Sequence, residues 1–252
     1  MAVYEIIVVD DGSKFECPDK SIKKNPQVRI IRNDENKGRG YSRALGTSSA
    51  NGDFILFVDA TNQIEESFIE RASPHFNDKK VAAVSGTLIS KNQSDVIDRW
   101  RSRHLFRENK IPKIAESCAM LITYGTLMRR SAVIQVGNFN KKLRFKEDQD
   151  MGHRLAEYGY LIIGDPEIKI FSSQSNSLLE VLERYSRWNM DPNEKPSASN
   201  YWHNIKASIK PMMQADVQEK DWNATFISLL VPHFQLYHEI KAQLKNNKHE
   251  QK

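Results

Sequence analysis

Short apolar runs that stop at acidic or small polar residues recur along the first two thirds of the chain. Phe54-Ile55-Leu56-Phe57-Val58 follows the turn Asn51-Gly52-Asp53 and ends at Asp59; Tyr4 to Val9 ends at Asp10-Asp11-Gly12-Ser13. Val28-Arg29-Ile30-Ile31, Val81 to Gly86, Ser117 to Met128, Gly159 to Ile163 and Pro166 to Phe171 are further runs of the same kind. Apolar stretches of this length, bounded by turn signals, predict strands buried in a sheet. Between them lie helical patterns: Tyr41 to Ser49, about Glu65 to Phe76, 131–136 closed by Gly137, Lys146 to Tyr158, and Leu178 to Trp188. Strands alternating with helices predict an α/β sheet, and ligands of such sheets sit outside the carboxyl ends of the strands.

The pattern changes after Trp188. Asp191 to Asn200, with two prolines and no periodicity, predicts a linker. Two helices are expected beyond it, the second from Trp222 to Leu244 with an apolar stretch broken by Pro232. The expected organisation is therefore a domain over 1–190, a linker over 191–200 and a helical C-terminal extension over 201–252. Residues 95–110, DVIDRWRSRHLFRENK, predict a basic, partly amphipathic helix: either a solvated helix with an apolar stripe, or a groove for an acidic acceptor or lipid headgroup.

Composition narrows the function classes. With 39% hydrophobic residues among 252, the chain can build a proper core. No run approaches the ~18 apolar residues of a membrane span, and the start leads directly into a strand, so a cytoplasmic protein is expected. Cys17 and Cys118 match no metal or redox spacing. A net charge of +5 and a pI near 9.0 favour anionic partners such as a nucleoside diphosphate or an acidic lipid surface. Basic and acidic residues are interleaved and no recognition motif is present, so nucleic acid is not an expected partner.

Three places carry candidate chemistry. Asp59, like Asp10 and Asp11, stands where a strand tip meets a ligand, although Asp also serves simply to cap turns. Gly38 and Gly40 open a helix whose N–H groups could face an anion, with Arg39 and Arg43 adding positive charge. Glu147, Asp148 and Asp150 crowd the head of the helix at 146–158, where the helix dipole favours acids and where a carboxylate facing a pocket could act as a general base.

The order of these signals is more specific than any one of them. Strand-DDGS, then N-x-G-x-x-x-x-R before a small-residue helix, then GDFILFVDA, a GNF turn, EDxDxGxRL and a Gly-Tyr strand together resemble the inverting family 2 glycosyltransferases of GT-A fold. LERYSRWN resembles the arginine-bearing helix of succinoglycan-type exopolysaccharide members and echoes the QxxRW motif of processive synthases, with Arg184 in place of Gln. The resemblance spans about residues 4 to 190. It implies a GT-A mixed sheet flanked by helices, with the C-terminal helices as an appendage, moving a sugar from a UDP- or GDP-sugar to a glycan or lipid-linked acceptor with inversion. It further implies that Asp10, Asp11, Arg43 and Asp59 meet the nucleotide, that Asp148 is the base with Glu147 positioning the acceptor, and that Asp150, Arg187 and Trp188 serve the acceptor and diphosphate side. A divalent cation, Mg²⁺ or Mn²⁺, is implied at the DxD position, here Asp59-Ala60-Thr61.

Two departures from the family pattern have consequences. Thr61 replaces the second acid of DxD, and a hydroxyl is a poorer ligand for a hard cation than a carboxylate. Asn62 could add an amide oxygen, and reduced metal dependence or activity is expected. The family's opening strand, of the type VSVIIPTYN, is also absent, which would leave unpaired backbone in the middle of the sheet. A strand from a partner chain could fill that place. The alternative function is thus an incomplete or non-catalytic glycosyltransferase-like binding or scaffolding module. The helix around Trp100 and the apolar C-terminal helix raise peripheral attachment to an anionic membrane face as a further expectation.

Overall fold

The computed structural model describes residues 3–15, 22–90, 93–106, 121–172, 176–189 and 196–250. The elements in chain order are β1 (Ile6–Asp10), β2 (Val28–Arg32), α1 (Arg39–Ser49), β3 (Phe54–Val58), β4 (Asn62–Ile64), α2 (Phe68–Ala72), β5 (Val81–Ser90), α3 (Val96–Arg101), β6 (Gly125–Arg129), α4 (Arg130–Gln135), α5 (Glu147–Glu157), β7 (Leu161–Ser172), α6 (Leu178–Asn189), α7 (Ala198–Ala207), α8 (Gln214–Gln218) and α9 (Trp222–Glu250). They form two compact units, one of residues 1–88 and 111–172 and one of residues 89–110 and 173–252.

The first unit is α/β. β1 and β2 make a parallel pair, and the other strands make a five-stranded sheet ordered β3-β6-β5-β7-β4. β6 runs antiparallel to both β3 and β5, and β4 antiparallel to β7. Interior position explains the composition of β5, where nine of ten residues are buried. A polar pair within the sheet is satisfied internally: Ser85 and Thr126 share a hydroxyl–hydroxyl bond of 2.8 Å across the ladder. Gly125 is required at the start of β6 because a Cβ there would collide with Ile170. Ala82, Ala83, Met128, Val133, Phe139, Met151, Leu155 and Ile162 form the core between sheet and helices.

Several sequence expectations shift. The helix expected over 65–76 is α-helical only at Phe68–Ala72; a 3-10 turn, Ser73–Asn77, follows, because Pro74 has no N–H to continue the α ladder. The two extended segments at 159–163 and 166–171 are one strand, β7. The strand expected from Ser117 begins only at Gly125, where its five residues match the five of β3; 117–120 lie outside the described residues.

The second unit is helical. Trp100, Val181, Leu182, Met212, Ala224, Ile227 and Val231 form its core. It includes α3 and α6, so the sheet-bearing unit stops at 172 rather than at the expected 190. The apolar stripe of α6 accounts for this: Val181 and Leu182 are buried against the C-terminal helices' side chains. Of the expected linker, 191–195 lie outside the described residues, and the remainder already enters α7, with Ser197 Oγ accepting the Asn200 N–H at 3.1 Å as an N-cap. The basic helix over 95–110 is not a solvated cationic face. Trp100 and Arg101 are buried, and Arg99, Arg101 and Arg103 pair with Asp221, Asp98 and Asp216 respectively. Those charges have acidic partners inside the unit; 107–110 lie outside the described residues. Among the described residues no helix is long and apolar enough to cross a membrane.

Candidate active site

The loop after β1 is built around Asp11. Its Oδ1 accepts from Asn33 Nδ2 at 2.7 Å and from the Lys37 N–H at 2.9 Å, and its Oδ2 accepts from the Gly38 N–H at 2.8 Å. Burial alone would raise this carboxyl, but the bonds from Asn33, Lys37 and Gly38 outweigh it and hold Asp11 below the usual range. Gly12 has φ +75°, and a Cβ there would press on the backbone at Glu35 and Asn36. Asp11, assigned to the nucleotide from sequence, thus ties the DDGS turn to the loop entering α1. Asn33, missed in the sequence reading, is its partner; it is buried, and its place directly after a strand was the signal available in the sequence. Asp10 accepts the Ser13 N–H at 2.9 Å and lies 3.6 Å from Arg32. The bonds from Ser13 hold its carboxyl below the usual range.

The head of α1 is likewise closed. The Gly38 N–H is bound by Asp11, and the Gly40 N–H donates to Leu143 O at 3.0 Å. A Cβ on Gly40 would run into the carbonyls of Asn140 and Leu143. These two glycines allow a loop to pack against the helix start, rather than offering N–H groups to an anion as their sequence suggested.

Arg43, one turn further along α1, is where the candidate residues meet. Its guanidinium lies 3.1 Å from Asp59 Oδ1, just beyond the end of β3, and forms an ion pair with the buried Glu147 at the start of α5. Burial, the largest influence, pulls the Arg43 guanidinium below its ordinary value, while Asp59 and Asp148 pull it back up. Lys146, at φ 60°, turns the chain into α5 and sets Glu147 inward while leaving Asp148 partly exposed. Glu147 Oε2 is buried with no hydrogen-bond partner among the described residues. One strand end and one helix head thus deliver Asp59, Glu147 and Asp148 to a single cation.

The cation-binding implication fits this set poorly. Hard divalent cations take several oxygen ligands, carboxylates above all. Asp59-Ala60-Thr61 offers one carboxylate, already paired with Arg43. Asn62 donates through Nδ2 to Tyr124 O at 3.1 Å within the β4 region, leaving only its amide oxygen. Among the described residues no group of three or more His, Cys, Asp or Glu side chains is placed to hold a metal.

The remaining sequence candidates make other contacts. Asp150 is gripped by Arg154 at 2.6 Å, and Arg154 also donates to the carbonyls of Val136 and Asn138, so this acid braces the Gly137-Asn138 turn. Arg187 and Trp188 are on α6 in the helical unit, where Trp188 packs on Phe106. His75 and Asp165, bonded at 2.8 Å in the α/β unit, were not singled out by the sequence.

Comparison with known proteins bears on this arrangement. The model of the family described as Glycosyl transferase family 2 matches residues 2–137, more than half of the chain. Pre-mycofactocin glycosyltransferase of Mycobacterium tuberculosis is 26% identical over 169 residues, which cover 64% of this chain and 36% of that protein. Poly-beta-1,6-N-acetyl-D-glucosamine synthase of Staphylococcus aureus is 22% identical over 196 residues, 73% of this chain and 46% of that protein. The chain therefore spans less than half the length of these relatives. Among solved structures, the mannosyltransferase PcManGT of Pyrobaculum calidifontis, in complex with GDP-Man and Mn²⁺, superposes with a TM-score of 0.54 at 15% identity, covering 97% of this chain and 66% of that one. S. aureus TarS 1-349 gives 0.52 at 14% identity over 94% and 79%. At such identities the structural likeness speaks for the GT-A fold, and the family match for membership. By its matched sequence and its mixed sheet flanked by helices, the chain belongs to glycosyl transferase family 2.

Proposed function

We propose that the chain is a nucleotide-sugar-dependent glycosyltransferase that acts with inversion in building a cell-surface glycan or polysaccharide. The observation that carries this reading is the convergence of Asp59, Glu147 and Asp148 on the buried Arg43. Displacing a nucleoside diphosphate from an anomeric carbon requires positive charge near the leaving group and a base near the attacking hydroxyl. Arg43 supplies the charge. Asp148, partly exposed at the head of α5, takes the acceptor's proton as the acceptor oxygen bonds to the anomeric carbon and the bond to the diphosphate breaks. Glu147 fixes Arg43 in place, and Asp59 meets the donor at the tip of β3. Attack from the face opposite the diphosphate gives inversion. Support for the donor class comes from neighbours solved with UDP-GlcNAc and GDP-Man, and support for a polymeric or cell-surface product from the name of the S. aureus relative. The steps above use the chain's own groups, and the Asp59-Ala60-Thr61 segment offers a single carboxylate to a divalent cation.

The second reading, a binding module without turnover, is favoured by Thr61 and by the separation of β1–β2 from the five-stranded sheet. Calorimetric titration of the chain with UDP and GDP, each with and without Mn²⁺, followed by a hydrolysis and transfer assay, tests both. Micromolar binding with turnover that falls at least about a hundredfold in Asp148→Asn, at unchanged affinity, supports the enzyme. Binding without turnover in the unmodified chain supports the module, and absence of nucleotide binding defeats both.

A further inference from the structure

A cavity of about 450 Å³ opens in the helical unit between α6, α7 and α9. Its described lining belongs wholly to that unit and includes none of the groups around Arg43. Each of the three helices brings a side-chain amide to it. Asn189 stands in the last turn of α6, Asn200 and Asn204 lie one turn apart on α7, and Gln235 is in α9. Met212 and Val231, both buried, add apolar surface beside them. The wall made by α9 is fixed at its proline. Pro232 has no N–H to offer Ser228 O, and the Ser208 hydroxyl donates to that carbonyl instead, tying the segment after α7 to α9.

Gln235 marks the cavity as a site. It is only 5% exposed, and among the described residues its amide has no hydrogen-bond partner. The side-chain amides of Asn200 and Asn204 likewise make no hydrogen bond among the described residues. Asn189 Nδ2 donates to Tyr185 O at 2.8 Å, which holds that side chain in place on α6. Burying an amide without a partner costs free energy, so Gln235 calls for a partner from outside the chain. A single water does not fill the space, which is many times the ~30 Å³ share of one water. The volume falls within the roughly 300–1,000 Å³ of small-molecule sites.

The lining selects the ligand. Its described residues include no Lys or Arg and one carboxylate, Glu239, so nothing there draws a phosphate or a nucleotide. One carboxylate is also too few for a hard cation. A carboxamide sets a donor and an acceptor side by side, which matches neighbouring hydroxyls, each able to donate and accept. Met212 and Val231 suit the C–H face of a sugar ring. We propose that this cavity binds a neutral saccharide, with the amides of Asn189, Asn204 and Gln235 holding its hydroxyls. Such a pocket gives the chain a hold on a sugar unit that takes no part in transfer.

The experiment uses the full 252-residue chain without nucleotide. Side-chain NH2 signals are followed by NMR while chitotriose, cellotriose or mannotriose is added. At least one trisaccharide is expected to shift the Gln235 and Asn204 signals saturably. Gln235→Leu is expected to weaken that binding about tenfold, the worth of one hydrogen-bonded contact. Its thermal midpoint should not fall, because the amide it removes has no partner in the described chain. Asn204→Ala, on a partly exposed position of α7, carries the same test should Gln235→Leu fail to fold. Absence of shifts with all three sugars overturns the proposal, as does unchanged affinity in the variant. Displacement of the sugar by inorganic phosphate or UDP overturns it in favour of an anion site. Sugar binding is read without turnover, so its failure is separate from failure of the proposed activity.

Discussion

Each unit holds a buried arginine cluster, and the two are balanced differently. In the helical unit, Asp216 accepts through Oδ1 from Arg103 and His104 and through Oδ2 from Ser228. Asp221 accepts from Arg99 through both oxygens, at 2.7 and 3.0 Å. Every carboxylate oxygen of Asp216 and Asp221 has a donor, as expected of buried charge that holds a structure together, whereas the buried Asp98 beside Arg101 has one oxygen outside any hydrogen bond among the described residues. In the α/β unit Arg43 faces Asp59, Glu147 and Asp148, and among the described residues one Glu147 oxygen is left without a partner. An excess of carboxylate around a buried cation has little structural purpose, and such perturbed sets cluster at functional sites. The difference separates a staple from a site more clearly than the motifs do, since both clusters have similar composition.

The largest effects test this contrast directly. Arg43→Ala is expected to abolish measurable transfer and to destabilise the chain by about 3–5 kcal/mol, because Glu147 is left charged and unpaired. Pairing Arg43→Met with Glu147→Leu is expected to recover most of the stability in urea unfolding but none of the transfer, as buried ion pairs are replaceable by packed apolar groups. Recovery of activity in that double variant would remove Arg43 from the mechanism. Asp216→Ala is expected to cost a similar ~3–5 kcal/mol while leaving nucleotide affinity of the folded protein unchanged.

Asp216 also gives a pH signature. Burial, its largest influence, pushes its carboxyl up, but the bonds from His104, Ser228 and Arg103 outweigh burial and hold it below the usual range. A carboxyl lowered in the folded state contributes stability that is present above its unfolded value, near ~3.9, and that is lost as the pH falls through the lower folded value. Thermal unfolding of the unmodified chain should therefore lose this contribution only below about pH 4. Asp216→Asn, already less stable at pH 7, should show a shallower fall there. Identical acid slopes in the two proteins would show that Asp216 is not linked to folding.

What could be read from the sequence followed the range of the interactions involved. β3 matches the expected strand at Phe54 to Val58, and α5 and α6 lie within a residue or two of expectation, because apolar period and turn residues are local signals. Arg43, Asp59, Glu147 and Asp148 were legible as motif positions. Their convergence on one guanidinium was not, since it depends on how α1, β3 and α5 pack. The partners of Asp11 and Asp150 were hidden for a related reason. A carboxylate at a strand tip or helix head looks the same in sequence whether it faces solvent or, as here, the N–H of Gly38 or the guanidinium of Arg154. The glycines at 38 and 40 were read as an anion cradle, and only the fold shows that their N–H groups are taken, that of Gly38 by Asp11 and that of Gly40 by Leu143 O.

A smaller effect is expected where the site falls short of its family. Thr61→Asp adds a second carboxylate two residues from Asp59 and should tighten Mn²⁺ by roughly tenfold, about 1.4 kcal/mol, in the presence of UDP. In the unmodified chain EDTA should change nucleotide affinity by less than about threefold. Strong EDTA sensitivity of the unmodified chain would mean that other oxygens complete a cation site, and that Arg43 shares its charge with a metal.

The smallest effect separates bracing from chemistry. Asp150 and Arg154 are an i,i+4 pair on α5, both partly exposed, and such pairs contribute only ~0.3–0.5 kcal/mol. Arg154 nevertheless donates to Val136 O at 2.6 Å and Asn138 O at 2.7 Å, so its position fixes the turn in which Asn138 takes φ 62°. Asp150→Asn should keep one weaker bond to Arg154 and lower stability by less than about 1 kcal/mol, with transfer within twofold of the unmodified protein. Arg154→Ala should cost more, because the Val136 and Asn138 carbonyls both lose their donor. If Asp150→Asn instead lowers turnover a hundredfold at unchanged stability, this carboxylate touches the acceptor, and the excess of acids around Arg43 extends one helical turn further than the geometry assigns.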